Sequence, residues 1–499
     1  MASKILMGDI LELVENILNN LNNEIYSLHS CALVSRNWCK LSIPLLWQNP
    51  FSIDQSSSFI SQYFSSLDEN EKIILNEYGI NIKFPNTLFN YAKFLKVLDL
   101  SKLEDKIRNW IDLQQVSMNK SLKCHIINLL FKLFVESGTI LHKLDLYFYN
   151  YELKPEISYS LERNNQFFSQ LHDLSLGGTI LDFNIKSATT LLEILAKNTT
   201  SISVLNFEGF DFGSDSYSNS EPQLFHAFIS IIKSQKQLRH FTVFGGNEFP
   251  IKFIISALES QKQSLQEVSM DYCTCTEEFN VLKDCKNLKI LRISDCEHVK
   301  RLELSVNTLD ITNFMIYSSN LVPILKNSGS LLQRLRLRAD EDSIREESVL
   351  IETLASFCPN ITYLNIAPIK FSAQLVDLIG NLQKLQSLTL GNEYMLEDEI
   401  LFTQFAKTLP PTLQYLDLTY PTFTPYIHVL LNNSHARLKY LLINRFENKE
   451  TIKALIEFCK RKRTLKYIGV NPRYLIDDIK KEVEGYVSLV PLGRIFVNC

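Results

Sequence analysis

An α/β solenoid of stacked strand–helix units is the fold class this sequence predicts, and three observations predict it. An apolar spacing of i, i+3 and i+5 begins at Leu95/Leu98/Leu100 and recurs to give about fourteen copies, mostly about 23 to 36 residues apart. Between the copies lie amphipathic stretches, ATTLLEILAKN, LFHAFISIIKSQ, IKFIISALESQ, VLIETLASFC and TIKALIEFCK, whose apolar residues recur at helical spacing. The first fifty residues carry helical stripes without that spacing. One strand–helix unit cannot bury its apolar side alone, so stacking many of them is what makes a core.

The elements follow in order. Ile10, Leu13, Val14, Ile17, Leu18 and Leu21 form an apolar stripe of helical period, and Asp9 is placed to cap it. A second helix begins at about Ser27 and carries Leu28, Cys31, Ala32 and Trp38, and Pro44 opens a third with Leu45, Leu46 and Trp47. Leu33, Val34 and Trp47 give this small bundle more apolar surface than a solvent-facing module needs, which predicts that part of it docks a partner. Residues 52–90 keep a helical pattern without the repeat and read as a helical linker with irregular first repeats.

The array itself, residues 91–475, runs through Leu141/Leu144/Leu146, Leu171/Leu174/Leu176, Ile202/Leu205/Phe207, Leu238/Phe241/Val243 and Leu265/Val268/Met270. It continues through Leu288/Leu291/Ile293, Val299/Leu302/Leu304, Leu332/Leu335/Leu337 and Ile361/Leu364/Ile366, and ends at Leu465/Ile468/Val470. The step from Leu288 to Val299 leaves no room for a helix, so one repeat there is abbreviated. Residues 476–499 are read as a C-terminal cap, and residues 1–51 as the helical module. Asp211–Glu221 is a polar, turn-rich insertion read as an exposed loop, and its Asp-Phe-Gly is a decoy without the other parts of a kinase.

This spacing and period are those of leucine-rich repeats, which predicts a horseshoe with parallel strands on one side and helices on the other. Cys285 and Cys358 stand just before the strand leucines of their repeats. That placement resembles the cysteine-containing class of leucine-rich repeat and suits small buried thiols better than ligands. Strand alternation turns i+3 and i+5 inward, so i+2, i+4 and i+6 line the binding side. Those positions give Arg334, Arg336 and Arg338 on one strand, with Arg292 and Arg301 nearby and Glu303 as an opposing charge. Position i+2 then becomes Tyr363, Tyr415, Tyr440 and Tyr467. Arginine and tyrosine carry much of the energy at interfaces, and forked guanidiniums favour carboxylate or phosphate. These nine residues are the predicted substrate-binding set, for a protein segment that is acidic or phosphorylated.

Composition excludes other classes. A net charge of -4 gives no general attraction to nucleic acid or an anionic membrane. No stretch reads as a secretory signal or a membrane span, and no Cys-x-x-Cys pair points to zinc, so an intracellular, cytoplasmic or nuclear setting is expected. No metalloprotease, hydrolase or phosphate-loop motif appears, so neither catalytic residue, metal nor cofactor is expected and the chain reads as a binding protein. Lys460-Arg-Lys-Arg463 resembles a nuclear-import run but sits where a helix ends, where cations are favoured.

The run SLHSCALVSRNWCKLSIPLLWQNPF resembles the second half of an F-box, with Cys-Ala-Leu-Val, Trp38 and the closing Pro-Leu-Leu-Trp; Met7-Gly8 stands where the family usually has Leu-Pro. With the cysteine-containing repeats, the chain resembles F-box proteins with leucine-rich repeats. The resemblance implies a substrate-recognition subunit of an SCF-type cullin-RING ubiquitin ligase. The module would bind the adaptor through Ile10, Leu13, Leu33, Val34, Trp38, Leu46 and Trp47, and the repeats would hold the protein substrate. A repeat scaffold or inhibitor acting without a ligase, its helices serving as a cap, stands beside that reading.

Overall fold

The computed structural model describes residues 11–21, 24–53, 56–80, 87–117, 119–148, 154–179, 185–211, 221–245, 251–274, 277–296, 302–313, 315–339, 344–392, 398–446, 448–474 and 477–495. The chain divides into two compact units, Met1–Ser264 and Leu265–Cys499.

The first unit opens with three helices, α1 (Leu11–Asn20), α2 (Ile25–Ala32) and α3 (Arg36–Leu46). Val14, Leu18, Leu28 and Trp38 form their common core. The break between the second and third helices falls at Leu33–Ser35 and not at Pro44. Ser35, in extended conformation, accepts from the Trp38 amide at 3.3 Å and starts α3, whereas Pro44 is accommodated inside that helix near its end. The stronger signal was the cap. Asp9 and Ile10 lie outside the described residues.

Five strands follow in this unit: β1 (Val97–Asp99), β2 (Lys143–Phe148), β3 (Asp173–Thr179), β4 (Val204–Asp211) and β5 (His240–Phe244). Each pairs in parallel with the next, and the repeat leucines stay in register, Leu98 with Leu144, Leu174, Leu205 and Phe241. From β1 to β4 the carbonyl one residue after the repeat start accepts two amides from the following repeat. Lys96 O receives His142 and Lys143, and His142 O receives His172 and Asp173. At the head of the sheet Gln48 O, at the end of the helical module, takes Lys96 and Val97 at 2.9 and 3.0 Å in the same way.

The second unit holds β6 (Glu267–Asp271), β7 (Ile290–Ser294), β8 (Thr308–Asn313), β9 (Arg334–Ala339), β10 (Tyr363–Ala367) and β11 (Ser387–Leu390). After them come β12 (Tyr415–Leu418), β13 (Tyr440–Ile443), β14 (Tyr467–Val470) and β15 (Ser488–Pro491). All are parallel neighbours in chain order. The five amphipathic stretches named from the sequence are helical, at Ile185–Asn198, Glu221–Ser234, Ile251–Ala257, Glu347–Phe357 and Lys449–Lys462. Strand and helix alternate as the repeat requires, except from β6 to β8, where the described residues between strands hold only the 3-10 segment Glu277–Asp284, and each unit is an α/β leucine-rich-repeat stack.

One repeat is shifted. The strand expected at Val299/Leu302/Leu304 is β8, whose inward residues are Leu309 and Ile311 behind Val306. Leu302 and Leu304 are buried but outside any strand, and Val299 lies outside the described residues. Both triplets satisfy the spacing; register with Leu291 and Leu335 selects the second, because only aligned apolar residues share one core layer. After β14, the helix Asp477–Val483 and β15 add one more strand to the sheet.

Candidate functional site

Two surfaces collect the residues that the sequence singled out. The first is on the helical module. Leu33 and Val34, in the turn between α2 and α3, are 76% and 52% exposed, and Leu13 and Ile17 of α1 also reach solvent. Trp38, expected on the docking surface, is 4% exposed and belongs to the module's core. Trp47 is committed as well: its ring stacks on Tyr91 at 4.0 Å and meets Phe59 and Tyr63 edge-on, fastening the module to the repeats. Beside it opens an apolar cavity of about 430 Å³, lined by Tyr26, Ile43, Leu46, Trp47, Pro50 and Phe59 among others. Tyr26 and Phe59 were missed because neither lies on the stripe of helical period that marked the module.

The second surface is the strand side of the second unit. Along β9 the burial alternates as expected, with Leu335 and Leu337 inside and Arg334, Arg336 and Arg338 outside. Arg292 lies two strands away on the same side and forms an ion pair with Glu267. Between Arg292 and Arg336 sits Asp310 of β8, in register with both and 3.6 Å from Arg336. Burial raises the Asp310 carboxyl above its ordinary range, while the two guanidiniums pull it back. Arg334 lies over the Tyr363 ring at 4.6 Å, which leaves that tyrosine buried. Glu303, expected against the arginines, pairs instead with Lys283 at 2.8 Å, away from the strands. Arg301 lies outside the described residues.

Tyr415, Tyr440 and Tyr467 occupy equivalent positions on β12, β13 and β14. Their rings form a ladder, Tyr440 and Tyr467 stacked at 5.9 Å and 6°, Tyr415 and Tyr440 at 6.5 Å. Ser387 on β11 separates them from Tyr363. The structure therefore assembles the arginines and the three-tyrosine ladder, and sets Tyr363 apart as packing for Arg334. Asp310 was missed because the register of its repeat was read seven residues early; the Val306/Leu309/Ile311 spacing would have placed it at i+4.

The corresponding side of the first unit has the opposite charge. Asp99, Asp145, Asp173 and Glu208 gather about Lys143, which reaches Asp173 at 3.1 Å and Asp145 at 3.6 Å. Burial and then repulsion from Asp99 and Asp173 raise Asp145. Among the described residues no group of acids, histidines and cysteines is arranged to hold a metal, and no helix is long and apolar enough to cross a membrane. Cys285 and Cys358 are buried, and burial pushes each thiol up to about 11, so both are inert core residues. The basic run ends the helix Lys449–Lys462, where Arg461 donates to the Leu431 and Asn432 carbonyls of the preceding helix at 2.6 and 3.2 Å.

No family model matches the chain, and no curated protein matches it. Among solved structures the chain is similar to the leucine-rich repeat-containing protein LegL7 from Legionella pneumophila, with a TM-score of 0.33 and 15% identity over 68% of this chain and 98% of that one. It is also similar to TLR13 in a complex with ssRNA13, with a TM-score of 0.32 and 14% identity over 70% of this chain and 54% of that one. At these scores the likeness carries no argument, and the repeat assignment rests on the strand register of the chain itself.

Proposed function

We propose that this chain is the substrate-recognition subunit of an SCF-type cullin-RING ubiquitin ligase. In this reading the helical module holds the adaptor, and the strand side of the second unit holds a protein substrate. The observation that carries it is the second apolar surface of the module. A helical cap needs one apolar side, turned to the repeats; here Leu33, Val34, Leu13 and Ile17 remain outside after Trp38 and Trp47 have been used. Arginine forks and a tyrosine ladder suit an interface anchored by few side chains. The chain would contribute no chemistry. It would act in the cytoplasm or nucleus by raising the effective concentration of substrate lysines near a conjugating enzyme borne by other subunits.

A second reading is favoured by Gln48 O, which completes the β1 edge: a repeat scaffold or inhibitor whose helices serve as a cap. Pulldown of purified cullin-RING adaptor by the full chain separates the two. Leu33→Asp with Val34→Asp is expected to weaken capture at least about hundredfold, since burying two such side chains is worth about 3 to 6 kcal/mol. The circular dichroism of the pair should be unchanged, because both residues are outside the core. Failure of the folded wild type to bind would select the scaffold.

A further inference from the structure

The charge of this chain is uneven along its length. From Arg437 onward 14 lysines and arginines stand against 7 aspartates and glutamates, an excess of seven positive charges in a chain whose net charge is -4. Much of the excess gathers where helices give way to strands. The turns into β11 to β15 carry Lys384, Arg437, Lys439, Arg463 and Lys466 against one acid, Glu484, and the parallel register of these strands sets the turns side by side. All five cations are exposed, and none forms an ion pair among the described residues. The tyrosine ladder borders this edge. Tyr415, Tyr440 and Tyr467 open β12, β13 and β14 directly after Gln414, Lys439 and Lys466. The ladder ends on a serine at each side, Ser387 of β11 in register with Tyr415 and Ser488 of β15 in register with Tyr467. Small neighbours leave the end rings open, and Tyr467 is 40% exposed. Among the described residues the one carboxylate on the strand side of β11 to β15 is Asp417, which the Thr419 amide holds. The arginine row of β9 differs, since Glu267, Asp271, Asp310 and Asp417 on the same strand side balance it.

We propose that this edge binds single-stranded RNA, with bases stacked on the tyrosine ladder and phosphates held by Arg437, Lys439, Arg463 and Lys466. The inference stands apart from the ligase reading, which keeps the arginine row for a protein substrate. The occupant is argued from charge and from the rings together. Unpaired cations beside exposed aromatic rings are what a single strand requires, because its backbone follows a cationic edge while its bases stack on the rings. Adjacent strands lie about 4.8 Å apart, so the cations entering β13 and β14 meet successive phosphates of one chain. A duplex keeps its bases stacked on one another and offers the ladder no face. An acidic protein segment would satisfy the cations and leave the rings unused. Gln414, partly exposed beside Tyr415, puts a neutral amide at the station where β13 and β14 carry lysine. That amide both donates and accepts, which suits the ribose 2′-hydroxyl and selects RNA over DNA.

The test is the anisotropy of fluorescein-labelled oligouridine titrated with the full-length chain. Four cations with one phosphate each predict a slope of log K against log salt of about -2.8, a loss of about fiftyfold between about 50 and 200 mM salt. Tyr467→Ala should weaken binding about fivefold or more and leave that slope unchanged. Lys439→Ala with Lys466→Ala should weaken binding and make the slope shallower by about 1.4. All three side chains are exposed, so the circular dichroism of both variants should match the wild type. Arg336→Ala, in the balanced row, should change neither affinity nor slope. Oligodeoxythymidine of equal length should bind more weakly than oligouridine. No binding of oligouridine at low salt, or full affinity in folded Tyr467→Ala, overturns the proposal. So does oligodeoxythymidine that binds as tightly, or an oligoglutamate peptide that displaces oligouridine at equal concentration. Adaptor capture without RNA binding refutes this inference alone, and RNA binding without adaptor capture refutes the ligase reading alone.

Discussion

Gln235 is the side chain whose loss should cost the first unit most for its size. It lies at the end of the helix Glu221–Ser234, is buried, and ties together the turn entering β4. Its carbonyl accepts from the Ile202 amide at 3.0 Å, and its amide donates to the Thr199 and Ile231 carbonyls at 3.1 and 2.8 Å. Gln235→Met keeps the length and removes these three bonds together with those to the Thr199 and Ser234 hydroxyls. Ile231 O retains the Ser234 hydroxyl at 2.9 Å, so two buried backbone groups are orphaned, the N–H of Ile202 and the C=O of Thr199. At about 1 to 3 kcal/mol each, the orphans cost about 2 to 6 kcal/mol, and the greater hydrophobicity of methionine offsets about 1. Urea unfolding followed by circular dichroism should show a loss of about 3 kcal/mol, and amide exchange should speed up first across residues 199–205. A loss under about 1 kcal/mol with unchanged exchange there would refute the claim that these bonds hold the repeat junction.

Asp417 on β12 is held by the Thr419 amide at 3.0 Å, and burial raises its carboxyl above the ordinary 3.8. The native state therefore binds its proton more tightly than the unfolded chain, and wild-type stability falls as pH rises from 3.8 through the raised value. Asp417→Asn should accordingly be more stable than wild type at pH 7, with the advantage vanishing below 3.8; a gap that widens on acidification would contradict the sign. Gly177→Ala drives a methyl into the Glu208 carbonyl and to 3.0 Å from the Tyr147 ring, at the bulge between β3 and β4. It should cost about 1 to 3 kcal/mol in the same urea titration. A neutral result would mean that the bulge can shift.

The repeats were legible because their signal is written many times: each strand must bury i, i+3 and i+5, so errors in one copy are corrected by its neighbours. The exception is instructive. Between Ile293 and Leu332 two successive triplets fit, and only pairing with adjacent strands chooses Val306/Leu309/Ile311; a local pattern cannot encode a choice made by register. The arginine row and the tyrosine column followed from alternation alone. Their partners did not, since Asp310 depends on that missed register and Glu267 on the diagonal reach of Arg292. On the helical module the pattern marked apolar residues without saying which side they cover. Trp38 and Leu33 read alike in sequence, and packing sends one inside and leaves the other out.

The Gln48 carbonyl has a consequence for dividing this protein. Because it occupies the acceptor position that His142, His172 and Ser203 fill for the repeats that follow their own, the helical module is joined to β1 by the same paired bond that joins repeat to repeat in this unit. A cut just after Gln48 would bare the Lys96 and Val97 amides as an open sheet edge, an invitation to pair with another chain. Expression boundaries for the array therefore belong upstream of residue 48. Grafting another helical module onto these repeats requires a donor that ends in a carbonyl at the same station.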